Sequence, residues 1–262
     1  MLANLVCFVL ILLCTSHSLF AKQGILSKKK EDFKEHEVPV RDFKKIKIKG
    51  IFDIDIIEDN KYEVKLRGSS HALHDVEVQQ QGETLNIFSK VPQSQSNKKI
   101  KLIVTSKKLN SFKARGIILS HIQGFSGYKF EAKISGLSEL RARDLTYNNL
   151  NLTIEGKSKL YGHSMNVKYI NAKVGGSSET VLSGKAESVY LLTNGQSLSD
   201  LKSMESDLVK VSAIGNSKIR LESPMVISLK VSGVLDIAYK CLKNKKPELQ
   251  KEVYGSLKES CL

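Results

Sequence analysis

The chain has 262 residues, with 41 Lys and Arg against 27 Asp and Glu, a net charge of +14 at neutral pH. Aromatic residues are only 6% of it, tryptophan is absent, and the basic excess is spread evenly along the chain. Nucleic-acid binders gather charge on one face and interleave stacking rings, so this balance describes a solvated lysine-rich surface and excludes specific nucleic-acid recognition, while leaving loose attraction to anionic polymers or lipid head groups.

The first element is an apolar run from Met1 to Leu13, followed by a polar interruption and by Ala21 just before Lys22. It is shorter than the ~20 residues a spanning helix needs and fits a secretory signal removed after residue 21; an uncleaved anchor is the competing reading. No later stretch is apolar enough to cross a bilayer. The expectation is an exported protein of the periplasm, outer surface or medium. Removal of residues 1–21 leaves two cysteines, Cys241 and Cys261. Oxidising compartments let such a pair persist, and the bridge would close a loop of about 20 residues, worth ~3 kcal/mol on chain-entropy grounds. Two free thiols are the alternative. Residues 22–40 are polar, charged and without period, which predicts a flexible leader.

From Phe43 the pattern turns to strand. Ile46 and Ile48 alternate with lysines, and Phe52, Ile54 and Ile56 alternate with Asp53 and Asp55, the period-two signature of half-buried strands. Short strands are expected again at Tyr62–Leu66, Val76–Val78, Thr84–Phe88 and Ile100–Val104, separated by turn signals such as Gln81-Gly82.

Beyond Ser111 the sequence repeats. Gly116, Gly136, Gly156, Gly176, Gly195 and Gly215 follow one another at 20, 20, 20, 19 and 20 residues, and Ser138, Ser158, Ser178, Ser197 and Ser217 stand two positions after five of them. A fixed period of this length marks a solenoid. Apolar residues alternate around each glycine and no 3.6-residue period appears, which excludes an α-solenoid and predicts a single all-β domain over residues 41–240. It would be a parallel β-helix of about 20-residue coils with Phe130, Leu150 and Ile170 in one interior column. With strands ~4.8 Å apart, six or seven coils give a rod of roughly 30 Å. The glycines suit corners that need positive φ. The serines form a structural ladder, because a nucleophilic serine needs a base within hydrogen-bond reach and no histidine recurs with them. For residues 241–262 the sequence predicts a cap: Pro247 starts a helix, and Leu249, Val253 and Leu257 fall on one face of it, tied down by the Cys241–Cys261 bridge.

Candidate chemistry is sparse. His71 and His74 lack a third ligand for zinc, and Asp53 and Asp55, able in principle to meet Ca²⁺, read as an outward acidic row pairing with Lys47, Lys49 or the next coil. No metal, cofactor or catalytic residue is assigned. The outward column after each glycine is richer: Arg141 and Arg143 should lie one coil from Tyr161 and His163, a set able to grip an acidic sugar. The acids Asp144, Asp200 and Glu222 are scattered over several coils, so paired-carboxylate hydrolysis has no evident geometry.

The segment 46–57 (Ile-Lys-Ile-Lys-Gly-Ile-Phe-Asp-Ile-Asp-Ile-Ile), Gly82-Glu-Thr-Leu-Asn-Ile87 and the following coils resemble the DUF2807 family, the auto-transporter adhesin head GIN domain, over residues 41–235. The resemblance implies a right-handed β-helix in an exported bacterial protein and supplies no catalytic residues. The function expected is a non-enzymatic envelope or cell-surface protein, binding or scaffolding, that presents its face to a glycan, an anionic polymer or a protein partner. The rival is a polysaccharide lyase or hydrolase working at Arg141–His163.

Overall fold

The structure, a computed structural model, describes residues 33–90, 100–222, 224–240 and 247–261. The expected signal segment and Cys241 lie outside the described residues, as does the side chain of Cys261. In chain order the elements are β1 (Phe33–Val38), β2 (Lys45–Glu58), β3 (Glu63–Ser69), α1 (Ser70–His74), β4 (Val76–Gln81), β5 (Thr84–Ser89), β6 (Ile100–Ser106) and β7 (Ser111–Gln123). There follow β8 (Ser126–Gly136), β9 (Glu139–Arg143), β10 (Thr146–Ile154), β11 (Lys159–Gly176), β12 (Glu179–Leu221), β13 (Val226–Tyr239), β14 (Glu248–Val253) and β15 (Ser256–Cys261).

From β7 onward each coil stacks in parallel register on the one before, giving a β-solenoid of about seven turns. Leu150 faces Phe130 on one side and Ile170 on the other, and Ile170 faces Val189. All four are buried, as the alternation requires. Each such side chain contributes roughly 1.5–3 kcal/mol by leaving water, and the column makes every coil depend on its neighbours.

The glycine corners are closed by two constraints at once. Gly136 has φ +97°, and a Cβ there would stand 2.5 Å from the carbonyl oxygen of Gly116 in the preceding coil. The stack extends to Gly50, which pairs with Gly116, and to Gly233 and Gly255 at the other end. Beside it, Ser138, Ser158 and Ser178 each share a hydroxyl proton between the glycine carbonyl one coil back (3.2, 3.3 and 3.3 Å) and a carbonyl three residues earlier (3.1, 2.8 and 2.7 Å). Ser197 and Ser217 meet at 3.2 Å, and Ser217 donates to Thr193 Oγ1 at 2.8 Å.

The two ends differ from the sequence reading. At the N-terminal end, β2 is sandwiched in space between β7 on one edge and β5 with β6 on the other, so chain order and coil order part company. Antiparallel β3 and β4 then cover β6 and β5. Phe33–Val38, inside the stretch expected to be a flexible leader, is strand β1 on the free edge of β3. The pairing sets Glu35 against Arg67, which are salt-bridged, and Glu37 against Lys65, opposite charges that help to hold an otherwise open strand edge.

At the C-terminal end the described residues form no helical cap. Residues 248–253 and 256–261 form β14 and β15, a further coil parallel to β13. The spacing of Leu249, Val253 and Leu257 misled because steps of four residues satisfy a strand pleat as well as a helix face. Gly255 stacking on Gly233 continues the solenoid corner. The coil is blunted by charge: Lys251 and Glu259 take the inward positions opposite Leu229 and Ile237 and form an ion pair with each other.

Candidate functional site

The parallel register of β7, β9 and β11 decides which side chains meet outside the rod. His121 pairs with Arg141 and Gln123 with Arg143, and Arg141 pairs with Tyr161 and Arg143 with His163. Because alternate residues of each strand point inward (Ala142 is buried), these six side chains point outward in a grid, three coils long. Together they line an open depression of about 540 Å³. The structure therefore brings Arg141, Arg143, Tyr161 and His163 together and adds His121 and Gln123 from the coil before. The same twenty-residue spacing (121, 141, 161 and 123, 143, 163) carried that signal.

The groove is held in place by polar contacts on its flanks. Arg141 Nε donates to Glu139 Oε1 at 2.6 Å, and its guanidinium lies 5.9 Å from the centre of the Tyr161 ring, within range of a cation–π contact. The Tyr161 hydroxyl reaches Glu179 at 3.4 Å. Arg143 donates to Gln123 Oε1 at 2.7 Å and pairs with Asp144 at 3.3 Å; Asp144 itself has φ +56°. His163 Nδ1 stands 3.2 Å from Ser183 Oγ, which donates to the Gly162 carbonyl. Two carboxylates thus lie at the arginines, nearer than the sequence suggested, each spent on a guanidinium. Farther along, Asp200 pairs with Arg220 and Lys202, and Glu222 with Lys240, so the outward columns close on themselves there.

One coil back, Asp55 stands opposite His121, with 2.9 Å between Oδ1 and Nδ1. Asp53, Asp55 and His121 offer ligand atoms within 4.8 Å of one another. Lys101 Nζ lies 3.1 Å from Asp53 and 2.7 Å from Asp55, so an ammonium stands where a cation would. Partial burial pushes the Asp55 carboxyl up, but hydrogen bonds from Lys101 and His121 outweigh it and hold the group below its ordinary value. The acidic row thus pairs with the strands stacked beside it, Lys101 on β6 and His121 in the next coil, and not with Lys47 or Lys49. His71 and His74 sit on α1, capped by Ser69, whose hydroxyl accepts from Ala72 N at 3.3 Å; His74 is within 4.0 Å of Asp75, and among the described residues neither histidine joins a metal-ligating cluster.

A parallel β-solenoid with a polar groove across three coils defines a class: rigid repeat proteins that display side chains on a ladder. The chain belongs to the DUF2807 family, described as "Putative auto-transporter adhesin, head GIN domain", whose model matches residues 42–242. Solved structures share the fold at low identity. One from Parabacteroides distasonis, named a "putative lipid binding protein", has a TM-score of 0.78 at 15% identity over 88% of this chain and 96% of its own. A "putative adhesin" from Parabacteroides merdae reaches 0.72 at 15% identity over 88% and 96%, and one from Bacteroides fragilis reaches 0.60 at 17% over 87% and 97%. No curated protein matches the chain in sequence. Among the described residues, no helix is long and apolar enough to cross a membrane.

Proposed function

We propose that this is an exported, non-enzymatic, adhesin-like rod that binds an acidic glycan in the groove formed by His121, Arg141, Arg143, Tyr161 and His163. The observation that carries the reading is the convergence of two guanidiniums, two imidazoles and a phenol ring in one open depression. Planar guanidiniums recognise carboxylate or sulfate through paired hydrogen bonds, and an aromatic ring beside them supplies an apolar platform with a polar tip. Against cleavage stands the commitment of Glu139 and Asp144 to Arg141 and Arg143: glycoside hydrolysis needs two carboxyl groups turned to opposite sides of the scissile bond. Export is supported by the family and by the apolar segment at residues 1–13 followed by Ala21. Intact mass of the secreted protein, with and without reduction before alkylation, tests removal of residues 1–21 and the Cys241–Cys261 bridge.

The functional test is a glycan array on the mature protein, followed by product analysis on each hit. Binding of short acidic oligosaccharides that Arg141→Ala with Tyr161→Ala weakens at least about tenfold, without cleavage products, supports the reading. Products that vanish in the same variant would establish the enzyme instead. Absence of any glycan hit would overturn glycan binding in favour of an anionic polymer or a protein partner.

A further inference from the structure

A second open groove lies on a different face, and its charge pattern differs from the ion pairs that link many neighbouring coils. At several places side chains one coil apart are opposite in sign and pair: Lys159 with Glu179, Lys185 with Glu205, Lys218 with Asp236, Lys230 with Glu252 and Arg220 with Asp200. On the face carried by β2, β7 and β8 the register stacks like on like. Lys47 pairs with Lys113 and Lys49 with Arg115, and Lys113 pairs with Lys133. Strands in register are ~4.8 Å apart and alternate residues of one strand ~6.6 Å, so five cations occupy a patch two columns wide and three coils long.

This costs stability unless something answers it. Like charges directly opposite across a strand pair are destabilising, and at this spacing each pair repels by roughly 1 kcal/mol even in water. Lys113 and Lys133 have acidic partners, Glu131 at 3.0 Å and Glu155 at 3.4 Å, and Lys49 sits 5.3 Å from the centre of the Phe88 ring. Lys47 and Arg115 form no ion pair among the described residues. The five cations line an open groove of about 820 Å³ together with two carboxylates, Glu77, paired with Lys90, and Glu155, paired with Lys133, and with Gln79, Asn86 and Ser135 as hydrogen-bonding neighbours and Phe88 as an apolar one.

We infer that this groove is a second binding site, for a linear acidic polysaccharide lying along the rod axis, separate from the depression at Arg141. The cations recur once per coil, which complements a polymer with regularly repeating charge better than a single ion. The groove is open, so a chain can enter from the side. Amide and hydroxyl side chains among the cations suit sugar hydroxyls. The one ring in the lining, Phe88, is already engaged by Lys49, which leaves no platform for stacking nucleobases.

The experiment compares binding of heparin, polygalacturonate and phosphatidylglycerol vesicles by three variants of the mature protein. Lys47→Gln, Lys113→Gln and Arg115→Gln together should weaken both polysaccharides at least about tenfold. The control Lys129→Gln, Lys185→Gln and Lys210→Gln removes the same charge outside the groove and should change affinity by less than about threefold, and Arg141→Ala with Tyr161→Ala should match the control. Thermal unfolding provides an independent reading: heparin should raise the midpoint of the parent protein and of the control, but not that of the groove variant. Equal losses in groove variant and control would reduce the effect to net charge and overturn the site. Binding to vesicles but to neither polysaccharide would assign the patch to a lipid surface and overturn the polysaccharide, and binding lost only with Arg141 and Tyr161 would place the polymer in the other groove.

Discussion

Replacing Gly136 by alanine separates two reasons for glycine, provided the same change is made at Gly82. Gly82 has φ +55° and nothing within 4 Å of a built Cβ, so Gly82→Ala carries only the cost of a left-handed backbone, about 1–2 kcal/mol. Gly136 has φ +97° and a Cβ position 2.5 Å from the Gly116 oxygen, well inside contact distance. The added methyl must push two coils apart exactly where Leu137 N donates to that oxygen at 2.9 Å and Ser138 Oγ at 3.2 Å. Loss of two hydrogen bonds adds about 1 kcal/mol each, giving about 3–4 kcal/mol in all. Urea unfolding followed by far-ultraviolet circular dichroism reads the difference, and hydrogen exchange at Leu137 localises it. If Gly136→Ala costs no more than Gly82→Ala, close stacking does not explain the glycine column and conformation alone does.

Leu150→Ala, at a fully buried position between Phe130 and Ile170, should cost about 2–5 kcal/mol in urea unfolding. The Asp55 carboxyl is held below its ordinary value of 3.8, so its contribution to stability is complete above that pH and is lost as pH falls through the depressed folded value. Asp55→Asn should therefore lower stability at pH 6 and flatten its fall below about pH 4, as read by urea titrations across that range. Replacing the inward ion pair of the last coil, with Lys251→Leu and Glu259→Ile together, should expose an apolar strand coil and produce concentration-dependent self-association in light scattering.

The solenoid was legible because its cause is periodic: the recurrence of glycine and the alternation around Phe130, Leu150 and Ile170 encode both the corner and the inward face. The groove was legible for the same reason, since residues twenty apart must meet once the coils stack. What escaped was whatever broke the period. Gly50 is separated from Gly116 by the strands that cover the N-terminal end, so its membership of the stack shows only in the pairing of β2 with β7. The last coil read as helix because a four-residue step fits either geometry. Ion pairing between coils, the background against which the Lys47–Lys113–Lys133 column stands out, is a property of register and becomes visible only when strands are placed side by side.

The displaced position of β2 sets an order of assembly. Within the regular coils, partners lie about 20 residues apart, as His163 and Ser183 do, whereas β2 meets β7 across 66, as Asp55 and His121 do. Closing the longer loop costs about 1 kcal/mol more in chain entropy, and β2 is covered only by strands made after it, β5 and β6 on one edge and β7 on the other. Nucleation therefore belongs to the coils after Ser111, which can zip outward by short-range contacts, while strands β1 to β6 dock afterwards onto a template already made. A chain synthesised from its N-terminus would thus fold from the middle, and the end that emerges first would be the last to become native.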